Sequence, residues 1–521
     1  MSLHKRLAFH NSFKLAPILV ACMLASVWAQ IRVQGGTSSS VPSAAPTQYP
    51  GQVRVDFYMT PQEAAHLLGA VDEIIAFDSK VTGLVARDRV GRQITDRNQL
   101  KQLADKKLKD TDISQRLRQS SLILQKLGFI PRDFDLQKFA LESSLDELAG
   151  YYDPHVKTMY LLNWLPVKLQ EPVMAHELDH ALQDQNFGLE KWIKIQDAPD
   201  KRLSEAELDE ERAARRAVAE GHATAVMIDY ALAPYGKSLA QLPVLSPDLF
   251  QKTAERYSRS AAMQSAPLLL REATMFPYTY GLTFIHQVLL KAGKQQAYSG
   301  VFKNPPRSTR EIMEPDMYLS RENLRSLNVP ALDSVLGSDY PKLADGIMGE
   351  FDSMVFLRQF GSPDQARRIT PQWRGGYYFA ARRPADSAKA TPQDREAEPK
   401  PGETKPPDPS RQLPPIKLEN IALLYISRWA TPAAAHDFAE VYRASIPVKY
   451  PGAQSVIAMD QPNLKEEFAH WDTFEGSVVI QVREDQVLAL EGFDSAILPR
   501  LQSALLNKPK AQPTKGAGTK R

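Results

Sequence analysis

The amino-acid sequence predicts an α+β protein: a predominantly helical first part with one small hairpin, then a smaller C-terminal module mixing strands and helices. Three observations carry this. Between Thr60 and Leu357 apolar residues recur mostly at three- and four-residue steps, the period of a helix with one buried face. Runs of β-branched and aromatic residues gather at 148–164 and again in the last third, bounded by turn residues. Between Pro384 and Pro414 the composition turns to Pro, Lys, Glu and Asp with almost nothing to bury, which predicts a disordered insertion. A length of 521 residues itself calls for two or three domains with linkers.

Taken in order, residues 1–29 read as a signal peptide. Lys5, Arg6 and Lys14 precede an apolar run from Leu15 to Ala29 that is short for a membrane span, and Val27-Trp28-Ala29 offers a small-x-small cleavage site. Leu19-Val20-Ala21-Cys22 also fits a lipoprotein cleavage pattern, and an uncleaved anchor is the third possibility; the apolar run continuing past Cys22 favours plain cleavage and soluble export, to the periplasm, the medium or the outer surface. Residues 30–52, small residues and prolines, form a flexible linker. Residues 53–365 are expected to form the main domain. Pro61 suits a first helical turn, with Ala64, Leu67, Leu68, Val71, Ile74 and Ile75 on its apolar stripe, and a second helical zone covers about 97–127. Around Pro154-His155-Val156 the pattern predicts a hairpin.

Next come two helices. The first is expected from about Glu171 to Phe187, with Pro172 in its first turn and Gly188 as its cap. The second opens at the capping-box spacing Ser204-x-x-Glu207, is heavily charged to Arg216, and then turns almost wholly small and apolar. A further helix over 346–357 closes the domain. Residues 366–506 are expected to form the small α+β module: a strand at 373–380, the insertion, a strand at 421–429, a helix at 432–443, a hairpin at 477–491 and a final helix to Leu506. Residues 507–521 form a basic tail.

Charge excludes little. Lys and Arg (64) nearly balance Asp and Glu (61), a formal charge of +3, so no global field points to nucleic acid. The single cysteine, Cys22, lies in the signal-like segment, so a mature chain beginning after it has no disulfide.

The stretch that carries chemistry is His176-Glu177-Leu178-Asp179-His180. Two histidines four apart on a helix share one face and can reach one metal ion, with Glu177 leaning toward a water on it. Glu220 is the only carboxylate between Glu211 and Asp229 and falls in the apolar half of its helix, where an unpartnered charge costs several kcal/mol. It is therefore the candidate third ligand, and Gly221 with its neighbouring alanines is expected to let this helix approach another closely. The set implies Zn2+, with a position left open for water. Glu177 is the candidate general base. A third histidine ten residues after His176 is excluded, since position 186 is Asn. Asp184 lies near the same helical face and is expected to support the ligands. His222, two residues from Glu220, points away from it and reads as packing or solvent-facing.

His176-Glu177-x-x-His180 with Glu220 some forty residues later resembles the gluzincin branch of zinc metallopeptidases. The wider stretches 176–187 and Val218–Thr224, with Phe276-Pro-Tyr-Thr-Tyr-Gly281 and Asn304–Glu311, are similar to exported bacterial proteins of the peptidase MA-like type. The resemblance implies a zincin-like catalytic domain and adds Thr224 to Asp184 as a supporting residue. Tyr278, Tyr280 and Arg310 become candidates for contacting substrate or the oxyanion. Ser308-Thr309-Arg310-Glu311 followed by Glu314-Pro315 departs from the Ser-Thr-Glu-Gln and His-Pro expected there; the plainer reading of 308–311 is another capping box.

The expected function is an exported zinc-dependent peptidase acting on a peptide or protein substrate, with no nucleic-acid partner and with membrane contact only through an uncleaved signal or a lipid anchor. The hairpin beside the His176 helix is a candidate edge for an extended substrate backbone. The alternatives are a catalytically weak zinc-binding envelope scaffold and a zinc amidohydrolase acting on a non-protein substrate.

Overall fold

The computed structural model describes residues 59–100, 102, 111–146, 150–164, 167–195, 204–247, 261–322, 327, 329–384, 416–458 and 466–506. The expected signal peptide, linker and basic tail lie outside them, as does all of the expected insertion but Pro384. No helix among the described residues is long and apolar enough to cross a membrane. The chain is α+β and divides into two compact units, Met1–Asn323 with Gly349–Phe356, and Leu324–Met348 with Leu357–Arg521.

The first unit opens with α1 (Pro61–Thr82), closed at its start by a capping box between Thr60 and Glu63 and at its end by Gly83 in the left-handed region. Strand β1 (Gly91–Thr95) follows, then α2 (Thr111–Leu127) and α3 (Leu136–Asp146). The predicted hairpin forms as β2 (Gly150–Asp153) and β3 (Thr158–Leu162). Asp153 Oδ1 accepts the N–H of His155 at 2.9 Å and Lys157 takes the left-handed region, which together close the turn. The hairpin is part of a three-stranded sheet in the order β1-β3-β2, with β1 parallel to β3 and β2 antiparallel on the other side. β2 is thus an edge.

The helix carrying the two histidines, α4 (Val167–Phe187), begins one turn earlier than the sequence pattern predicts, so Pro172 lies inside it. A proline there removes the bond from its own nitrogen and crowds the carbonyl one turn back. Gln170 Nε2 donates to the Leu162 carbonyl at 3.1 Å and ties this extra turn to the end of β3. Gly188 ends the helix with φ 63°, its N–H on the Asp184 carbonyl. A short α5 (Leu189–Lys194) leads toward α6 (Glu205–Leu232), whose capping box at Ser204 and Glu207 is formed. From Ala217 onward α6 is buried almost throughout, as the switch in its composition dictates. Met174, Ala175, Leu178 and Ala181 of α4 pack with Leu67, Val71 and Ile74 of α1 and with Tyr152, Met159 and Leu161 of the hairpin.

Gly221 does permit a close helix crossing, but its partner is not α4. It is α7 (Leu268–Gln295), where a Cβ on Gly221 would sit 2.1 Å from the carbonyl carbon of Gly281, and one on Gly281 would sit 2.1 Å from the carbonyl oxygen of Ala217. The two glycines let the backbones touch, which brings Tyr278 of α7 toward the histidines.

In the second unit the sheet is larger than the sequence pattern predicts. Seven strands run in the order β4 (Lys342–Ile347), β5 (Trp373–Arg382), β6 (Ile421–Trp429), β10 (Gln486–Glu491), β9 (Gly476–Arg483), β8 (Glu466–Thr473) and β7 (Gln454–Ala458), every neighbouring pair antiparallel. β4 explains two differences. Residues 346 and 347 end a strand rather than start a helix, and residues 324–348 join this unit, so the division falls before the expected 365/366. The helix that follows, α8 (Glu350–Phe360), starts after Gly349. Alternation along β6 serves both faces: Leu424 and Ile426 pack with the last helix, α10 (Leu498–Leu506), while Trp429 stacks on Phe438 of α9 (Pro432–Lys449) and Tyr425 lies tilted against it.

Candidate functional site

α4 and α6 bring His176, His180 and Glu220 together. Nε2 of His180 lies 3.1 Å from Nε2 of His176, and Oε2 of Glu220 lies 3.2 Å from the first ring's partner His176 and 3.3 Å from His180. The two imidazoles are edge to face, 4.8 Å between ring centres. Both histidines are buried, and Glu220 is half-buried. The group is the one cluster of metal-ligating type found among the described residues.

Two features of this triangle fit a cation. Ligand atoms about 2.0–2.1 Å from a tetrahedral ion stand about 3.3 Å apart, close to the separations present here. The hydrogen bonds also fix a polarity. Gln183 Nε2 donates to Asp179 Oδ2 at 2.7 Å and to the Ala219 carbonyl at 3.0 Å, so its amide oxygen must face His180 Nδ1, 3.1 Å away. Nδ1 therefore carries the ring proton, and in the neutral ring the bare lone pair of Nε2 confronts the carboxylate oxygen of Glu220. Two acceptors this close want a cation between them.

Glu177 follows His176 on α4. Its Oε2 accepts the backbone N–H of Tyr152 at 2.9 Å, so the edge strand β2 and the glutamate of the motif are joined directly. The Tyr152 phenol donates to Asp184 Oδ2 at 3.2 Å, and Asp184 Oδ1 accepts the N–H of Leu189 at 3.1 Å. Burial raises the Asp184 carboxyl above its usual value, partly offset by these donors, and burial with the Asp184 charge pushes the Tyr152 hydroxyl well up. Asp184 thus anchors β2 and α5 rather than a histidine.

The other expected residues divide. Tyr278 is buried with its ring facing His176, 6.1 Å between centres and 27° between planes. Tyr280 turns away and donates to Met354 Sδ at 3.2 Å. Arg310 is buried in a separate ionic cluster, 3.3 Å from Glu314 and 3.5 Å from Glu350. Thr224 donates to the Glu220 carbonyl at 2.7 Å, an ordinary bond back to the preceding helical turn. At 308–311 the helix start forms without a Ser308 side-chain cap, because Glu311 is held instead by the N–H and guanidinium of Arg307.

Two residues at the site, Gln183 and Arg216, are not singled out by the sequence pattern, and His222 reads there as packing or solvent-facing. Gln183 is one turn beyond His180, at a spacing that was available. His222 is fully buried, with Nδ1 2.6 Å from Asp179 Oδ2 and Nε2 3.3 Å from the Tyr298 carbonyl, so it packs and also braces Asp179. Arg216 lies one turn before Glu220; burial lowers its guanidinium from the ordinary arginine value, while Glu220, Tyr278 and Asp209 pull it back up. No protein-family model, curated protein or solved structure matches the chain.

Proposed function

We propose that the first unit is a zinc-dependent hydrolase that cleaves peptide bonds outside the cytoplasm, with His176, His180 and Glu220 as the ligands of the metal. The observation that carries this is the triangle of two imidazole nitrogens and a carboxylate oxygen at 3.1–3.3 Å, with a lone pair and a negative oxygen facing one another. The gluzincin resemblance of the motif supports it, and the charged, signal-like first 29 residues support export.

Zinc in such a site supplies Lewis acidity and a water activated near neutral pH. Glu177 would not hold the metal; its carboxylate would take a proton from the attacking water and pass it to the leaving amine as the C–N bond breaks. The Tyr152 N–H holds Glu177 in place for this. Because β2 is an edge, an extended substrate backbone pairing alongside it would pass next to the motif. Tyr278, its ring stacked near His176, is the aromatic candidate for the oxyanion.

The test is Glu177→Gln. The variant is expected to keep zinc at the parent's stoichiometry and to lose hydrolysis of a peptide library by about 10²–10⁴-fold. Undiminished cleavage by the variant would remove Glu177 from the reaction. A zinc-loaded parent that cleaves no peptide would leave the scaffold or the non-protein amide as the substrate-level reading.

A further inference from the structure

Behind the triangle lies a second, fully buried set of polar side chains for which the hydrolytic role has no use: Asp179 and Gln183 on α4, and His222 on α6, all at 0 % exposure. We infer that Gln183 is a positioning residue that sets which nitrogen of His180 faces Glu220, and that Asp179 and His222 are there to hold the Gln183 amide in its one useful orientation. The consequence for metal affinity rests on the zinc reading above; the consequence for His180 itself does not.

A glutamine amide can be turned end for end at little cost unless its neighbours forbid it. Here Nε2 has His222 Nδ1 at 3.3 Å and, closer, two acceptors, an Asp179 oxygen at 2.7 Å and the Ala219 carbonyl at 3.0 Å. Turning the amide would set its oxygen against both, leaving two buried repulsions and two lost bonds. Asp179 in turn cannot swing away, since the same Oδ2 is 2.6 Å from His222 Nδ1, and His222 is wedged edge-on between Tyr298 and Phe302, 5.0 and 5.2 Å between ring centres. With the amide locked, Oε1 accepts only from a protonated His180 Nδ1, so His180 Nε2 is left as an acceptor. A histidine ligand is made competent in this way by a hydrogen bond at its other nitrogen. Asp179 reaches His180 through an amide rather than directly, so the negative charge is kept one group away from the ring.

Two measurements on the full chain test this. In the metal-free parent with ¹⁵N-labelled histidines, His180, assigned by the loss of its signals in His180→Gln, is expected as the Nδ1–H tautomer, and in Gln183→Met the proton is expected to move largely to Nε2. A parent with His180 protonated at Nε2, or a tautomer unchanged in Gln183→Met, would overturn the inference. The second measurement is zinc affinity by competition with a chromophoric chelator. Gln183→Met, similar in volume but without an acceptor, is expected to bind zinc about 10–100-fold more weakly, and Gln183→Glu, which restores an oxygen to Nδ1, to bind more tightly than Gln183→Met. Simple packing at this position predicts the reverse order, the buried charge of Glu being the worse substitution; that order would also overturn it. If the parent binds no zinc, the hydrolase reading falls and the tautomer still decides the role of Gln183. If Gln183→Met does not fold, the parent tautomer and Gln183→Glu decide it.

Discussion

Each unit sets a carboxylate among polar partners, and the two do so in opposite ways. In the second unit Glu491 is fully buried and surrounded by donors: the Lys449 ammonium at 2.5 Å and the hydroxyls of Tyr442 and Tyr450 at 2.7 and 2.6 Å. Burial and the Glu491 charge hold both phenols well above their ordinary range, so they remain donors. Every contact there is matched, and such a knot stabilises a fold without asking for anything more. In the first unit Glu220 has the Arg216 charge one turn back, yet its Oε2 also faces His180 Nε2, which the Gln183 bond leaves as an acceptor. Burial with matched partners marks structure; burial with mismatched, convergent acceptors marks a place for a cation.

Substitutions sharpen the contrast. The largest stability effect is expected for Glu491→Leu, which strands the Lys449 charge and should cost about 3–5 kcal/mol in chemical denaturation while leaving zinc content unchanged. Glu220→Leu should abolish stoichiometric zinc and cost the metal-free protein less than Glu491→Leu does. If both variants lose stability alike, the contrast is wrong. Next is Gly221→Ala: its Cβ would meet Gly281 backbone at 2.1 Å, so the α6–α7 crossing must open, at a cost near the upper end of about 1–3 kcal/mol.

A smaller, pH-dependent effect is expected at Asp78, buried on α1. Burial, and then the nearby Asp179 charge, raise its carboxyl well above the ordinary 3.8. A raised acid contributes stability that is fully present below its ordinary pKa and lost as pH rises through the folded value. Asp78→Asn should therefore raise the unfolding midpoint most above neutrality, with the gain shrinking as pH falls toward 3.8; a gain independent of pH would show that the charge is not the cause. The smallest effect is Ser204→Ala, which removes the α6 cap for about 1 kcal/mol.

Local signals account for most of what was legible in the sequence. The capping box at Ser204, the left-handed Gly188, the Pro154 turn and the change in composition along α6 each act within a few residues, so the elements they mark form where expected. His176, His180 and Glu220 were legible together because a lone acid among alanines is an anomaly that only a partner resolves. What lay beyond the pattern depends on tertiary pairing. β4 reads as an unremarkable polar-apolar mixture until β5 is beside it, and β1 belongs to the sheet through a parallel pairing with β3 that no short-range signal encodes. Pro172 suggested a helix start, yet the bond from Gln170 to Leu162 favours one turn more. Gln183 and His222 carry no anomaly of their own; their roles exist only once Asp179 stands between them. Asp184 and Thr224 sit at suitable spacings but spend their hydrogen bonds elsewhere.

X-ray absorption at the zinc edge tests most directly whether the triangle of His176, His180 and Glu220 is a zinc site. The parent, purified with zinc, is expected to hold one ion per chain with two imidazole nitrogens and carboxylate or water oxygens at about 2.0–2.2 Å, and Glu220→Leu is expected to lose that ion. Zinc bound substoichiometrically, or an absorption spectrum unchanged by Glu220→Leu, would contradict that assignment.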